Sequence, residues 1–210
     1  MAMEKRDFEA AAPGWDENPG RVRLAGEVAE AIIRMVRPER EMHIADFGCG
    51  TGLLSLKLQP LVATVTGIDS SPGMLDIFKA KIAEGRFTNV QTRLLDAEKA
   101  EVVSGRYDLI ISSMTLHHIR RPEELLRQLH GALNPGGILA VADLDPDDGL
   151  FHGDNTGVYH FGFPRETVRT MFAEAGFGDL DECTASEMHK VGADGIKRRF
   201  SVFLVTGRKQ

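Results

Sequence analysis

The composition of this chain excludes several classes of protein before any motif is considered. Its 210 residues fit one domain with one hydrophobic core. A hydrophobic share of 42%, a charged share of 27% and no apolar run near the ~18 to 20 residues of a membrane span predict a globular protein without a spanning helix. The net charge of −6 argues against a nucleic-acid partner, which would need a dense basic surface, so a small-molecule partner is expected.

The first residues and the two cysteines bear on the expected cellular location and on disulfide or zinc sites. The first residues carry charges of both signs and lack the apolar stretch of a secretory signal, so a cytoplasmic location is expected. Cys49 and Cys183 lie far apart, and neither has a second ligand at zinc-like spacing. Free thiols are therefore predicted, with no disulfide and no zinc site.

An irregular arm and an amphipathic helix are the first predicted elements. Residues 3–20 mix charges with Phe8 and Trp15 and give no helical stripe beyond one short turn. Over residues 21–36 apolar side chains recur every three or four positions, which is the period of a helix with one buried face. Pro38 follows the end of this helix.

A glycine-rich turn follows the first predicted strand, which covers residues 42–45. It reads Asp46, Phe47, Gly48, Cys49, Gly50, Thr51, Gly52 and leads into a helix. Closely spaced glycines bring bare backbone up to a bound ligand. Dinucleotide-binding folds space their glycines as G-x-G-x-x-G, whereas here the third glycine arrives one residue early and an acid precedes the first.

These residues resemble the first motif of the class I S-adenosylmethionine-dependent methyltransferases, [DE]-x-G-x-G-x-G, at every position. The resemblance implies that the turn faces the amino-acid end of S-adenosylmethionine and that Asp46 supports it. It also implies an α/β fold of three layers, Rossmann-like, with a seven-stranded, mostly parallel sheet and a C-terminal antiparallel strand. One domain over residues 1–210 is expected, with residues 1–38 closing over the cofactor.

Two further acids follow the next predicted strands. The strand over residues 61–68 ends in Asp69 and Ser70, where a carboxylate can accept hydrogen bonds from ribose hydroxyls. The strand over residues 90–95 ends in Asp96 and Ala97, which resemble the family's adenine-binding position; a turn aspartate is the alternative.

Between these strands a helix is expected to open at Pro72. Ser71 is its predicted N-cap, Met74 lies on its apolar face beside the cofactor residues, and Gly85 is its predicted stop. The fourth strand, residues 107–113, is apolar enough for burial on both faces and brings Ser112 and Ser113 to the edge where such sheets bind ligands.

A histidine pair follows that strand. Leu116, His117 and His118, with the helix and fifth strand behind them, resemble the quinone-type and other small-molecule methyltransferases, so the resemblance spans residues 42–144. In that family the end of this strand faces the methyl group, which makes His117 and His118 candidate general bases. A structural role for the pair is the alternative.

The long loop over residues 145–163 is predicted to border the substrate, because loops of this length in compact domains tend to be functional. His152, Tyr159 and His160 in the loop, with Trp15 in the arm, are the candidate substrate contacts. Residues 180–189 and 198–206 are expected to form the closing antiparallel pair.

The function implied is transfer of a methyl group by in-line displacement to a small-molecule acceptor. A metal-assisted variant exists among methyltransferases of catechols. Asp143 and Asp145 offer ligands beside the histidines, but the acid pair expected to hold magnesium has no match, so no metal is expected. An NAD(P)-dependent oxidoreductase and a non-catalytic S-adenosylmethionine-binding regulatory module remain the alternatives.

Overall fold

A computed structural model describes residues 6–96 and 101–210, so the predicted cofactor contact Ala97 lies outside the described residues. The described chain forms one seven-stranded sheet with the order β3-β2-β1-β4-β5-β7-β6. Its strands are β1 (His43–Phe47), β2 (Thr64–Asp69), β3 (Val90–Leu94), β4 (Tyr107–Ser113), β5 (Leu133–Leu144), β6 (Phe177–Val191) and β7 (Lys197–Lys209). The first five pair in parallel, whereas β7 runs antiparallel to both of its neighbours. The predicted fold is confirmed.

Helices connect these strands. They are α1 (Phe8–Ala11), α2 (Pro19–Val36), α3 (Ser55–Leu58), α4 (Pro72–Gly85), α5 (Pro122–Ala132) and α6 (Arg165–Glu174), with 3-10 turns at Ala12–Gly14, Gln59–Leu61 and Leu116–His118. Helix α2 begins two residues before its predicted start, because the Asn18 side chain caps it by accepting from the amide of Gly20. None of the helices in the described ranges is both long and apolar enough to cross a membrane.

Helix α4 has its predicted cap but not its predicted stop. The Ser71 hydroxyl accepts from the amide of Met74 at 3.2 Å. The helix runs through Gly85, and Arg86 takes the left-handed conformation that ends it, with φ of 51°. A Cβ on Gly85 would lie 2.2 Å from the Phe87 ring, so this glycine makes room for a neighbour and does not terminate the helix.

The sheet is buried on both faces. Along β4, Leu109 and Ile111 join one hydrophobic cluster while Ile110 joins the other, as the two-residue period of a strand requires. Phe78 of α4 packs on the first face, and Phe172 of α6 packs on the second. Full burial of such side chains stabilises the fold by about 1.5 to 3 kcal/mol each. With both faces covered, a ligand can approach the sheet at its strand ends.

The strand order reverses between β1 and β4. After β1 the chain moves towards β3, and after β4 it moves towards β6, so the loops that leave β1 and β4 diverge. In open α/β sheets ligands bind in the crevice that this divergence opens at the carboxyl ends of the strands. The glycine turn, Asp69, Asp96 and the histidine pair all follow strands that end on this edge.

Candidate cofactor and acceptor site

The three glycines of the turn share a positive φ but differ in what a Cβ atom would meet at each position. All have positive φ, at 74°, 53° and 80° for Gly48, Gly50 and Gly52. A Cβ on Gly48 would lie 2.1 Å from the Thr115 hydroxyl, and one on Gly52 would lie 2.3 Å from the ring of Phe78. At Gly50 nothing lies nearer than the sulfur of the predicted cofactor contact Met74, at 3.9 Å. Gly50 therefore presents the open face of the turn.

The turn is fastened to the end of β2. The amide of Gly48 donates to the carbonyl of Ile68 at 2.8 Å, and the amide of Gly50 donates to the Asp69 carboxylate at 2.7 Å. The second oxygen of Asp69 accepts from the amide of Ser71 at 2.9 Å, and Ser70 is half-buried between them. Two of the predicted cofactor anchors thus lie in direct contact.

Asp46 lies behind the turn, fully buried. The Ser55 hydroxyl donates to its carboxyl group at 2.6 Å. Burial raises the pKa of Asp46 to about 7, the hydrogen bond from Ser55 opposes the rise, and the nearby Asp69 charge adds to it. The predicted contact Cys49 is also buried, and burial raises the pKa of its thiol well above the usual range. Cys49 therefore acts through its backbone and as a small packing group.

The remaining predicted cofactor residues lie at the ends of β3 and β4. Asp96 is buried, and its amide donates to the Glu101 carboxylate at 3.0 Å. The Ser112 hydroxyl donates to the carbonyl of Phe47 at 2.9 Å, so it ties β4 to β1. Ser113 is half-buried at the strand end. The hydroxyl of Ser112 is therefore engaged within the sheet.

The histidine pair meets a third histidine from the long loop. His117 is 1% exposed, and its Nδ1 donates to Asp143 Oδ1 at 2.7 Å. Its Nε2 lies 3.2 Å from Nε2 of His152, which is 35 residues away in the chain. The Nδ1 of His118 donates to the carbonyl of Gly157 at 2.7 Å. We call His117, His118 and His152 the histidine cluster.

The electrostatics of the histidine cluster follow from burial. Burial acts to raise the pKa of Asp143, but the electrostatic interaction with His117 and the hydrogen bonds from His117 and Leu144 outweigh it and lower that pKa, which favours the carboxylate. Burial and the neighbouring His117 lower the pKa of His118 to about 4. The same causes, with Arg6 added, lower the pKa of His152 to about 3. His118 and His152 are therefore neutral near pH 7.

Comparison with protein families places most of this chain in one family. Residues 21–182 match the family described as a methyltransferase domain, which is more than half of the chain. The chain belongs to the methyltransferase-domain family. The resemblance to the class I S-adenosylmethionine-dependent methyltransferases is confirmed, and S-adenosylmethionine is the cofactor of that class.

Individual relatives agree with the family. A protein of Schizosaccharomyces pombe named an uncharacterized methyltransferase is 32% identical over 67% of this chain and 55% of its own length, so the chain spans just over half of that relative. A ubiquinone biosynthesis O-methyltransferase of Coxiella burnetii is 27% identical over 89% of this chain and 86% of its own length. The solved phosphoethanolamine N-methyltransferase 2 of Haemonchus contortus, in complex with S-adenosyl-L-methionine, has a TM-score of 0.67 at 16% identity over 86% of this chain and 52% of that chain.

The other two predicted loop contacts, Tyr159 and His160, bind the loop to the residues that follow β4 and do not join the histidine cluster. The amide of Tyr159 donates to the carbonyl of His117 at 2.9 Å, and the Tyr159 ring lies 4.9 Å from the Arg120 guanidinium. His160 Nε2 donates to the carbonyl of Ile119 at 3.0 Å. These contacts hold the loop against the residues that carry the histidine pair.

Trp15 does not contact the histidine cluster directly, because the Phe8 ring lies between Trp15 and His118. The Arg21 guanidinium stacks on the Trp15 ring at 3.8 Å from its centre. The Trp15 ring meets Phe8 edge-on at 6.0 Å between centres, and Phe8 meets His118 edge-on at 5.1 Å. The arm therefore brings Phe8 against the cluster and Trp15 behind it. A role for Trp15 in substrate binding stays a prediction.

The arm also contacts the glycine turn and the start of α4 through residues that the sequence did not mark. Asp16 accepts from the Thr51 hydroxyl at 2.6 Å and pairs with Lys81, which donates to the carbonyl of Thr51. The Glu9 carboxylate accepts from the amide of Gly73 at 3.0 Å, at the start of α4. These partners are 35 and 64 residues apart, so no local pattern could have revealed them.

Proposed function

We propose that this methyltransferase transfers a methyl group to a small-molecule acceptor bound between the arm, residues 6–38, and the loop of residues 145–163. The observation that carries the proposal is the hydrogen bond from the amide of Gly50 to Asp69, beside the open face of the turn and on the sheet edge that also bears the histidine cluster. S-adenosylmethionine, when bound, supplies a methyl group activated by the positive charge of its sulfonium.

The donor set at this edge fits that cofactor. Asp69 accepts from two backbone amides beside the glycine turn, and a carboxylate is also an acceptor for ribose hydroxyls. Asp96 offers a buried carboxyl one strand further along, suited to an exocyclic amine. Bare backbone at Gly50 allows a ligand to approach without a Cβ in the way. The early third glycine and the acid Asp96 after β3 favour this cofactor over NAD, whereas an acid at the place of Asp69 is common to both cofactors.

The acceptor belongs on the other side of the crevice, next to the histidine cluster. Phe8 of the arm and His152 of the loop both contact the histidine pair, so the arm and the loop meet at these rings. We assign to His117 and His118 the handling of the acceptor proton, because they follow β4 at the same edge. Most of the rate is expected from holding donor and acceptor in line, an effect worth up to about 7 to 11 kcal/mol.

Charge around His152 indicates the class of acceptor. Arg6 Nη1 lies 3.2 Å from His152 Nδ1, and the Lys190 ammonium donates to the carbonyl of the neighbouring Phe151. Both cations are half-buried, and neither forms an ion pair within residues 6–96 and 101–210. Two half-buried cations on the same side of the site favour an acceptor that carries negative charge, such as an acidic hydroxyl or a carboxylate. The O-methyltransferase named among the relatives supports an oxygen acceptor.

Cofactor binding is tested by calorimetry with S-adenosylhomocysteine and with NAD. We expect S-adenosylhomocysteine to bind and NAD not to bind. Asp69→Asn should weaken the affinity for S-adenosylhomocysteine by about 10- to 100-fold, the contribution of one charge-assisted hydrogen bond. Asp76→Asn, an exposed position on α4, is the matched control and should bind normally. Tight binding of NAD without S-adenosylhomocysteine would refute the proposal.

Acceptor class is tested with labelled S-adenosylmethionine and a cell extract split into a low-mass filtrate and a macromolecular fraction. Label should enter products of the filtrate, and passing the filtrate over an anion exchanger beforehand should remove the acceptor and abolish labelling. Label confined to protein or nucleic acid would overturn the small-molecule assignment, and binding of the cofactor without transfer to either fraction would favour a regulatory module.

A further inference from the structure

The histidine cluster has the geometry of a metal site. One ring nitrogen from each of His117, His118 and His152 lies within 4.8 Å of the other two. The Nε2 atoms of His117 and His152 are 3.2 Å apart. Two imidazole nitrogens on a tetrahedral zinc, each bound at about 2.0 to 2.1 Å, are about 3.3 to 3.4 Å apart. The measured separation is therefore close to that of two nitrogens sharing one ion.

The partners of the other ring nitrogens support this geometry. Histidine ligands of metals generally donate their second N–H to a carboxylate or a backbone carbonyl, which fixes the ring. His117 donates from Nδ1 to the buried Asp143, and His118 donates from Nδ1 to the carbonyl of Gly157, both at 2.7 Å. Each ring is thus held with Nδ1 protonated, which leaves Nε2 as the nitrogen with a free lone pair.

We propose that His117, His118 and His152 bind a divalent first-row transition metal, with Zn²⁺ as the reference ion. Three neutral imidazoles suit zinc, iron, cobalt and nickel, whereas magnesium prefers oxygen ligands. Three protein ligands leave a coordination position open, which is the arrangement of catalytic and not of structural zinc. The expectation of no metal considered only a missing acid pair, whereas this site is built from nitrogen.

Asp145, the other acid near the cluster, does not take part. Its carboxylate forms two hydrogen bonds with Arg165, both at 2.8 Å, and a third with the Ser201 hydroxyl at 2.6 Å. The open coordination position is therefore left for water or for the acceptor. With the metal bound, Nε2 of His117 and of His118 is occupied, so the metal replaces these two rings in the handling of the acceptor proton. An acceptor hydroxyl bound at the open position would release its proton to water more readily, and its oxygen would then attack the methyl carbon as the sulfur–carbon bond breaks. That role rests on the proposed function, whereas binding of the metal does not.

A chain of hydrogen bonds is the competing explanation for the short contact. Because a guanidinium only donates, Arg6 requires His152 Nδ1 to accept, and His152 Nε2–H then donates to His117 Nε2. A metal on His152 Nε2 would move that proton to Nδ1 and break the contact with Arg6. The two explanations therefore predict opposite effects of removing Arg6. If the short contact is only a hydrogen-bond chain, His152 loses an ordering contact and metal binding does not improve. If the cluster is a metal site, metal binding becomes tighter.

The first test measures metal on the wild-type chain. Protein stripped with a chelator is titrated with Co²⁺, which reports nitrogen ligation by a visible absorption band, and then with Zn²⁺. We expect one Co²⁺ per chain, displaced by Zn²⁺, and zinc or iron in protein purified without chelator. Absence of saturable Co²⁺ binding would overturn the inference.

Variants then locate the ion. His152→Ala should abolish the Co²⁺ band, whereas the control His160→Gln, on the same loop but outside the cluster, should keep it. Asp143→Asn should weaken binding by about 10- to 100-fold. Arg6→Met should tighten it about threefold or more, because a cation beside the site is removed. Equal Co²⁺ binding by the His152 and His160 variants, or weaker binding by Arg6→Met, would contradict the assignment.

Calorimetry with S-adenosylhomocysteine on the stripped protein separates the two proposals. Binding of S-adenosylhomocysteine by a chain that takes up no metal overturns the metal site alone. Binding of metal by a chain that takes up no S-adenosylhomocysteine overturns the proposed function alone. If His152→Ala melts below the assay temperature, His118→Gln replaces it, and it should likewise lose the Co²⁺ band.

Discussion

Asp46 should make the stability of the chain fall as pH rises. Its pKa is about 7 in the folded state and 3.8 as the ordinary value, so between these values the folded chain binds more protons than the unfolded chain. Stability contributed by the neutral carboxyl is present at low pH and is lost as pH rises towards 7. One pH unit over which the folded chain holds this extra proton costs about 1.36 kcal/mol, so the free energy of unfolding falls by about 2 to 3 kcal/mol between about pH 5 and about pH 8.

Asp46→Asn removes this proton and keeps the shape of the side chain. Its carbonyl oxygen can still accept from the Ser55 hydroxyl, so any other cost of the substitution is a constant offset across pH. Urea unfolding at several pH values, without cofactor, should give a wild-type minus variant difference that changes by about 2 to 3 kcal/mol between about pH 5 and about pH 8. Glu174→Gln, on the surface, controls for the loss of one negative charge. A flat difference curve for Asp46→Asn would refute the reasoning.

Three further substitutions test the packing of the turn, the arm and the core. Gly52→Ala forces an L residue to φ of 80° against the ring of Phe78, and a melting experiment should show a loss of about 3 kcal/mol, or a Tm lower by about 6 to 12 °C; an unchanged Tm would contradict the clash. Asp16→Asn weakens the bond from Thr51 and should speed proteolytic cleavage within residues 6–18; an unchanged cleavage rate would contradict a role for Asp16 in holding the arm. Phe172→Ala, fully buried, should cost about 3 to 5 kcal/mol in urea unfolding, and a cost below about 1 kcal/mol would show that the core collapses around the gap.

Local rules predicted most of the fold. The alternation of apolar runs with amphipathic stretches follows from the periods of strands and helices, so the strand over residues 107–113 was predicted with the bounds that β4 has. Ends were less predictable where a partner decided them. Gly85 looked like a helix stop, but contact with Phe87 explains that glycine and Arg86 ends the helix.

The site residues also fall into those that local rules predicted and those whose positions depended on distant partners. The positions of Gly50 and Asp69 at one edge followed from their places after β1 and β2, because parallel strands end on the same side of a sheet. The loop residues His152, Tyr159 and His160 were indistinguishable in sequence. Only the folded loop brings His152 to the histidine pair and turns His160 to the carbonyl of Ile119.

The sequence by itself determined the order of strands and helices, the glycine turn and the acids after the strands, because each depends on steric preferences and periodicity within a few residues. The tertiary structure alone decided that Asp143 lies against His117, that Asp16 reaches Thr51 and that three histidines converge. Those contacts join residues 26 or more positions apart, and their formation depends on how the loops and the arm pack at the sheet edge.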